Sequence, residues 1–198
     1  MAMPPFPPSD IVLTCTPEKV DDKVVLAYAV ANNSQVAVYV MDAIVGADPK
    51  THAPVLNRDQ VTIWLGRDSY AHVLNGLALL PTDRNVRVRV IPVALRLEPG
   101  ATLRRTIELR EPLAEVSPYF GTGPVGDYRV LAIEGLALHV DVLSVNAAGL
   151  REEPVAVSPE HVRVGADNLG AALQRLTVTF RAKGLHLMVR TDSFPRPD

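Results

Sequence analysis

The chain has 198 residues, of which 47% are hydrophobic and 21% are charged, and its formal net charge is −2. This hydrophobic fraction supports a buried core and excludes global disorder. A net charge near zero gives no overall attraction to nucleic acid or to an anionic membrane, so neither is expected as a partner. Cys15 is the only cysteine, which excludes an intrachain disulfide and a zinc site built from cysteines.

The N-terminus is rich in proline, with four among the first nine residues. This composition predicts a flexible arm over residues 1–9, followed by a single β-sandwich domain over residues 10–198 with a possible sub-boundary near residues 112–127. The arm has neither the basic start nor the long apolar stretch of a secretory signal. No apolar run is long enough for a membrane-spanning helix. A cytoplasmic protein is therefore expected.

The first half of the chain alternates between apolar and polar residues with a period of two. Lys23–Asn32 is almost wholly apolar and predicts a central strand. Residues 35–45 predict a second strand, and the link Asn32-Asn33-Ser34 between them is a strong turn signal. The two strands are therefore expected to form a hairpin.

The stretch LEPGATLRRTIELR spans residues 97–110. Its Pro-Gly turn at residues 98–100 leads into a predicted strand over residues 101–110. This strand is expected to pair back against the chain before it, a predicted strand over residues 85–97. Arg105 breaks its apolar face. An inward-pointing charge near a sheet edge blocks the addition of a further strand, which is the expected role of Arg105.

The second half of the chain shows fewer clear boundaries. Residues 128–145 predict one bent strand, or two strands broken near Gly135. Residues 165–173 predict a short helix or a loop, and Lys183-Gly184 predicts a turn between the last two strands. Many short strands and no long amphipathic helix indicate an all-β fold, an antiparallel β-sandwich with additional C-terminal strands.

The stretches LAYAVANNSQVAVYV and LEPGATLRRTIEL give the chain a family resemblance. Together they resemble bacterial immunoglobulin-like sandwich domains, and the arrangement is similar to that of the bacterial intracellular proteinase inhibitor family. The resemblance covers about residues 10–111. It implies an immunoglobulin-like fold, and it implies protease inhibition through an exposed loop, at residues 46–57 or 112–127, as an alternative function.

One group of residues could carry chemistry, and two other patterns lack the features that their chemistry needs. His139 and Asp141 are two positions apart on one predicted strand, which places both side chains on one face. Together with His161 they are candidate ligands, and they support an alternative function as a metal- or small-ligand-dependent enzyme on a β-barrel or jelly-roll scaffold. No GxSxG motif surrounds Ser158 or any other serine, which argues against a serine hydrolase. The sequence GTGPVG at residues 121–126 lacks the lysine and the helix of a phosphate-binding loop. No cofactor is predicted.

Charged and aromatic residues bear on possible partners. Four arginines fall on neighbouring predicted strands, and glutamates near them in sequence favour ion pairs on a solvated face over a nucleic-acid site: Arg87, Arg89, Arg104 and Arg105. Tyr119 and Phe120 lie on a long predicted loop, where aromatic residues commonly anchor a partner. The predicted function is a non-catalytic interaction or assembly module that binds another protein, or a second copy of itself, through loops and sheet edges.

Overall fold

The computed structural model describes residues 10–48, 50–80, 86, 90–120 and 128–191. The predicted arm at residues 1–9 and the GTGPVG loop lie outside this range. The fold is all-β with two sheets, in agreement with a β-sandwich. The strands are β1 (Ile11–Val20), β2 (Lys23–Asn32), β3 (Val38–Ala47), β4 (Pro54–Asn57), β5 (Thr62–Leu65), β6 (Tyr70–Asn75), β7 (Val93–Leu97), β8 (Thr102–Arg110), β9 (Leu113–Ala114), β10 (Tyr128–Ser144), β11 (Arg151–Val155), β12 (Ser158–Gly165) and β13 (Leu173–Arg190).

The smaller sheet has three antiparallel strands in the order β1-β2-β8. Alternation in β2 explains how it packs, because every second side chain faces the other sheet. Val24, Leu26, Tyr28 and Val30 are all buried on that face. The same face of β8 contributes Ile107 and its apolar neighbours to this common core.

The larger sheet has ten strands, with β11-β12-β7-β3-β10-β13-β9 as its main path and β4, β5 and β6 attached beside it. Long apolar strands cross its centre, and β10 supplies Leu136, Leu138, Val140 and Val142 to the core between the sheets. The short helix α1 (Leu169–Ala172) and the turns around it cover part of the opposite face. Strands from both sides of residues 112–127 belong to this sheet.

The predicted hairpin between residues 23–32 and 35–45 is wrong. β2 pairs with β1 and β8, whereas β3 belongs to the larger sheet. The Asn-Asn-Ser turn does redirect the chain, but it carries it from one sheet to the other. The predicted pairing of residues 101–110 with residues 85–97 is also wrong. β8 pairs with β2 in the smaller sheet, while β7 pairs with β3 and β12 in the larger one.

Asn32 holds these two sheet crossings together and is wholly buried. Its side-chain amide donates to the carbonyl oxygens of Val36 and Leu97, at 2.9 and 3.0 Å. Its side-chain oxygen accepts from the backbone and hydroxyl of Ser34, and its backbone N–H donates to Ala101. One side chain therefore joins the β2–β3 and β7–β8 connections, which explains why both leave their sheet at the same corner.

Three further predictions about the strands can be compared with the structure. The antiparallel prediction is wrong for two pairs, since β6 runs parallel to β10 and β9 runs parallel to β13. The predicted turn at Lys183-Gly184 is also wrong as a break between strands, because β13 continues through it as a β-bulge, with residues 182–184 opposite Glu134 of β10. The predicted bend near Gly135 is confirmed. A Cβ atom there would lie 2.3 Å from the backbone oxygen of Phe180, so only glycine fits.

Candidate functional site

The histidine and aspartate predicted as possible metal ligands lie on β10 and are both buried. Asp141 accepts two hydrogen bonds from Arg175, at 2.8 and 3.0 Å, and one from the backbone N–H of Leu77. His139 contacts Thr177 through Nδ1 at 2.9 Å. The two side chains share a face but serve different partners. Among the described residues there is no group of three or more His, Cys, Asp or Glu side chains that could hold a metal ion.

His139 belongs to a stack of aromatic rings. Its Nε2 lies 2.8 Å from Nδ1 of His72, whose Nε2 lies 3.1 Å from the carboxylate of Asp68. The Trp64 ring stacks on both imidazoles. Burial, together with the nearby His72 and Arg175, lowers the pKa of His139 to about 4. Both nitrogens of His139 have hydrogen-bonding partners within this chain, which accounts for the buried histidine without a ligand.

His161, the third predicted metal ligand, lies elsewhere, in a buried cluster around Asp42. Asp42 occupies a β-bulge in β3, between Met41 and Ala43, and bulges commonly re-aim a side chain. Its carboxylate receives two hydrogen bonds from Arg105 of β8, at 2.7 and 3.1 Å, and lies 2.9 Å from Nε2 of His161. The cluster joins the two sheets through one carboxylate.

The electrostatics of this cluster are balanced internally. Burial raises the pKa of the Asp42 carboxyl, but the hydrogen bonds and charges of Arg105 and His161 outweigh it, so the pKa lies below its ordinary value. Arg58 adds a second guanidinium at 3.6 Å from the same carboxylate. Nearby, the Tyr28 hydroxyl accepts from the side chain of Asn75, and burial raises the pKa of Tyr28 to about 12.

Ser158, His161 and Asp42 form a chain of hydrogen bonds in the order found in serine hydrolases. Ser158 Oγ lies 2.8 Å from Nδ1 of His161, whose Nε2 lies next to Asp42. A nucleophilic serine needs an imidazole that can also protonate a leaving group. The side chain of His161 is fully buried, and the Asp42 charge is already compensated by Arg105. This geometry supports a structural role, in which Ser158 and His161 of β12 hold the Asp42 carboxylate that Arg105 of β8 contacts from the other sheet.

The two aromatic residues predicted to contact a partner occupy different positions. Phe120 is buried against Trp64 and Leu74, with the guanidinium of Arg190 over its ring. Tyr119 is half-buried, and its hydroxyl accepts from the backbone N–H of Val90. Neither ring projects as an exposed anchor. Phe120 forms part of the wall of a groove, and Tyr119 does not.

This groove lies where β8 ends and has a volume of about 870 Å³. Apolar side chains from several strands line it, and the carboxylates of Asp59, Glu108 and Glu111 lie around it. A depression of about 490 Å³ continues from it along β8 past Thr106. The larger apolar side chains are Val61, Ile63, Leu109, Leu113, Val116, Phe120 and Met188. A concave apolar floor with polar groups at its margin is typical of a binding site.

The strand beside the groove has one side open in the described part of the chain. Just beyond the two ends of β8, Ala101 accepts a hydrogen bond from the backbone N–H of Asn32, and the N–H of Glu111 donates to the backbone oxygen of Asp22, next to β2. Backbone groups alternate in direction along a strand, so the odd-numbered residues between them also face β2. The N–H and C=O groups of Thr106, Glu108 and Arg110 therefore face away from the sheet, toward the groove and its depression.

The other edge of the same sheet differs from β8. β1 carries Pro17, and proline at an edge discourages strand addition because it has no N–H to donate. β8 contains no proline. Both strands pair with β2 without a register shift, so the proline is what distinguishes the two edges.

The expected role of Arg105 stays a prediction. Its side chain does point inward, where Asp42 supplies the opposite charge. It also donates to the backbone oxygen of Arg104 at 3.0 Å, a carbonyl that can accept a second hydrogen bond. The predicted arginines Arg87 and Arg89 lie outside the described residues.

Sequence reasoning missed the centre of the buried cluster. Asp42 interrupts the apolar run VAVYVMDAIV, and Arg105 interrupts the apolar face of another strand. A buried charge requires an opposite charge or hydrogen-bonding partners, so these two interruptions were the available signal. The groove had no such signal, because its walls come from segments far apart in sequence.

Comparisons with family models and with curated proteins found no relative of this chain. No family model matches the chain, and no curated protein is detectably similar to it. Within the described residues, no helix is long and apolar enough to cross a membrane.

Proposed function

We propose that the protein is a non-catalytic interaction module that binds an extended segment of another protein. The segment would add to the open side of β8 and place alternate side chains in the adjoining groove. The observation that carries this proposal is the row of outward-facing backbone groups of Thr106, Glu108 and Arg110 beside an apolar groove.

Strand addition suits this surface for two reasons. Backbone hydrogen bonds to a sheet edge supply affinity for an extended chain, and pockets for alternate side chains supply selectivity. The groove provides such pockets next to Leu109, whose side chain faces inward and is buried. Protease inhibition and metal- or ligand-dependent catalysis stay predictions, with no contact in the described residues that favours either.

The test is a selection of displayed random peptides on the purified protein, followed by measurement of their affinities for two variants. Thr106→Pro removes an N–H that faces the open edge and no hydrogen bond to β2, a position where edge strands tolerate proline. Thr106→Val keeps the N–H and a similar shape, so it is the matched control. We expect Thr106→Pro to weaken binding by about tenfold or more and Thr106→Val by about twofold or less.

Two results would overturn the proposal. One is a selection that enriches no peptide. The other is a set of selected peptides that bind the Thr106→Pro variant as tightly as the unmodified protein, with thermal unfolding showing that both variants are folded.

A further inference from the structure

Most charged side chains near β8 already have a partner of opposite charge. Lys23 lies 2.8 Å from Glu108, and Lys19 lies 2.5 Å from Glu111. Arg110 lies 3.3 Å from Asp22. These pairs leave little net charge for a ligand to recognise.

Two charged side chains near the same strand are exceptions. Asp59 and Arg104 are exposed, and neither has an oppositely charged group within 4 Å among the described residues. Asp59 lines the depression together with Thr106, Glu108 and Arg110, so it lies beside the second half of β8. Arg104 lies on the same face of the strand as Glu108, four residues earlier, a distance of about 13 Å in an extended chain.

The pairing in the three-stranded sheet indicates the direction in which an added segment runs along β8. All pairs in the three-stranded sheet are antiparallel, and antiparallel pairing is slightly more stable per residue than parallel pairing. A chain added antiparallel to β8 passes Glu108 first and Arg104 four residues later. Residues directly opposite each other point to the same face. The neighbours of the residue opposite Glu108 then point to the groove side, beside Ile107 and Leu109.

We infer that the bound segment carries a basic residue beside Asp59 and an acidic residue four positions later beside Arg104. Apolar residues flank the basic one and enter the groove. This inference rests on the proposed function and specifies its partner, an extended segment in which Lys or Arg precedes Asp or Glu by four residues.

The experiment compares two short dye-labelled peptides by fluorescence anisotropy. Both have the same composition, with valines on either side of the first charged position, and they differ only in whether Lys or Glu comes first. We expect the peptide with Lys first to bind about five- to tenfold more tightly at low salt, with the difference shrinking as salt is added. In the double variant Asp59→Lys/Arg104→Glu, the preference should reverse.

The single variants Asp59→Asn and Arg104→Gln replace the double variant if it does not fold, and each should reduce the preference by at least half. Equal binding of both peptides overturns the inference and leaves the proposed function standing. Tighter binding of the Glu-first peptide overturns the antiparallel order. If neither peptide binds while the display selection also fails, the proposed function falls together with the inference.

Discussion

The Asp42 cluster and the open side of β8 are both polar, yet they differ in where their hydrogen bonds go. At Asp42 the two oxygens bind Arg105 and His161 within the chain. At β8 the outward-facing backbone groups of the second half have no partner strand in the described residues. Both regions use the same strand, since Arg105 belongs to β8.

The difference separates a structural role from a binding role. A buried polar group must be satisfied within the fold, because an unmet hydrogen bond there costs free energy. Groups on an open edge are satisfied by water and can exchange water for a partner. The cluster therefore fixes how the two sheets pack, and it holds β8 in place while the other side of that strand stays available.

The largest expected effect comes from removing the buried charge. Asp42→Asn leaves the guanidinium of Arg105 without its counter-charge, and we expect the free energy of unfolding to fall by about 3–5 kcal/mol. Urea unfolding followed by circular dichroism measures this. Arg58→Gln alters a half-exposed contact to the same carboxylate and should cost about 1 kcal/mol or less. Equal effects of the two substitutions would contradict the role given to the cluster.

Acid should weaken the fold in two separate pH ranges. The pKa of His139 is about 4 in the folded chain and near 6.5 when unfolded. The unfolded chain therefore takes up the proton first, so stability falls as pH drops from about 6.5 to 4. We expect a loss of about 1–2 kcal/mol, reduced by partial contact with water. Asp42 has a lowered pKa, so its contribution is lost only at still lower pH.

The variant His139→Gln separates these two ranges. Its stability should vary less between pH 6.5 and 4, while the loss at lower pH remains. Urea midpoints measured across pH for both proteins test this, and an unchanged slope in the variant would show that His139 does not cause the upper range.

A substitution at Ser158 distinguishes a structural role of the Asp42 cluster from a catalytic one. Ser158→Ala removes one hydrogen bond to His161 and should lower the free energy of unfolding by about 1 kcal/mol. A fluorophosphonate probe, which labels activated serines, should leave the unmodified protein unlabelled. Labelling that disappears in Ser158→Ala would assign a nucleophile to the cluster and contradict the structural role.

The smallest expected effect concerns the edge itself. Thr106→Pro should cost about 1 kcal/mol or less in stability, because the lost N–H makes no bond to β2. Thermal unfolding measures it beside Thr106→Val. A much larger loss would mean that the N–H of Thr106 is hydrogen-bonded within the fold, which contradicts an open edge at β8.

Alternation along the sequence predicted the strands better than their partners. The buried faces of β2 and β8 follow directly from residues such as Leu26 and Ile107, because strand periodicity is local. Pairing depended on the wholly buried Asn32, which bonds to Val36 nearby in the sequence and to Leu97 far along it. A turn signal gives a change of direction but not the sheet that the chain enters.

The candidate site was less predictable than the fold. Sheet edges were predicted as binding surfaces, and Arg105 was interpreted as a sign that its strand lies near an edge, but nothing in the sequence located the groove beside that strand. Tyr119 and Phe120 were expected to contact a partner; Phe120 lines the groove, and the role of both stays a prediction. The immunoglobulin-like topology also stays a prediction.

Hydrogen exchange followed residue by residue with NMR tests the central claim most directly. In the free protein the amides of Ile107 and Leu109 should exchange slowly, and those of Thr106, Glu108 and Arg110 should exchange fast. A selected peptide should slow exchange at these three amides. Binding that leaves the three amides fast, or free protein in which they are already protected, would contradict the account.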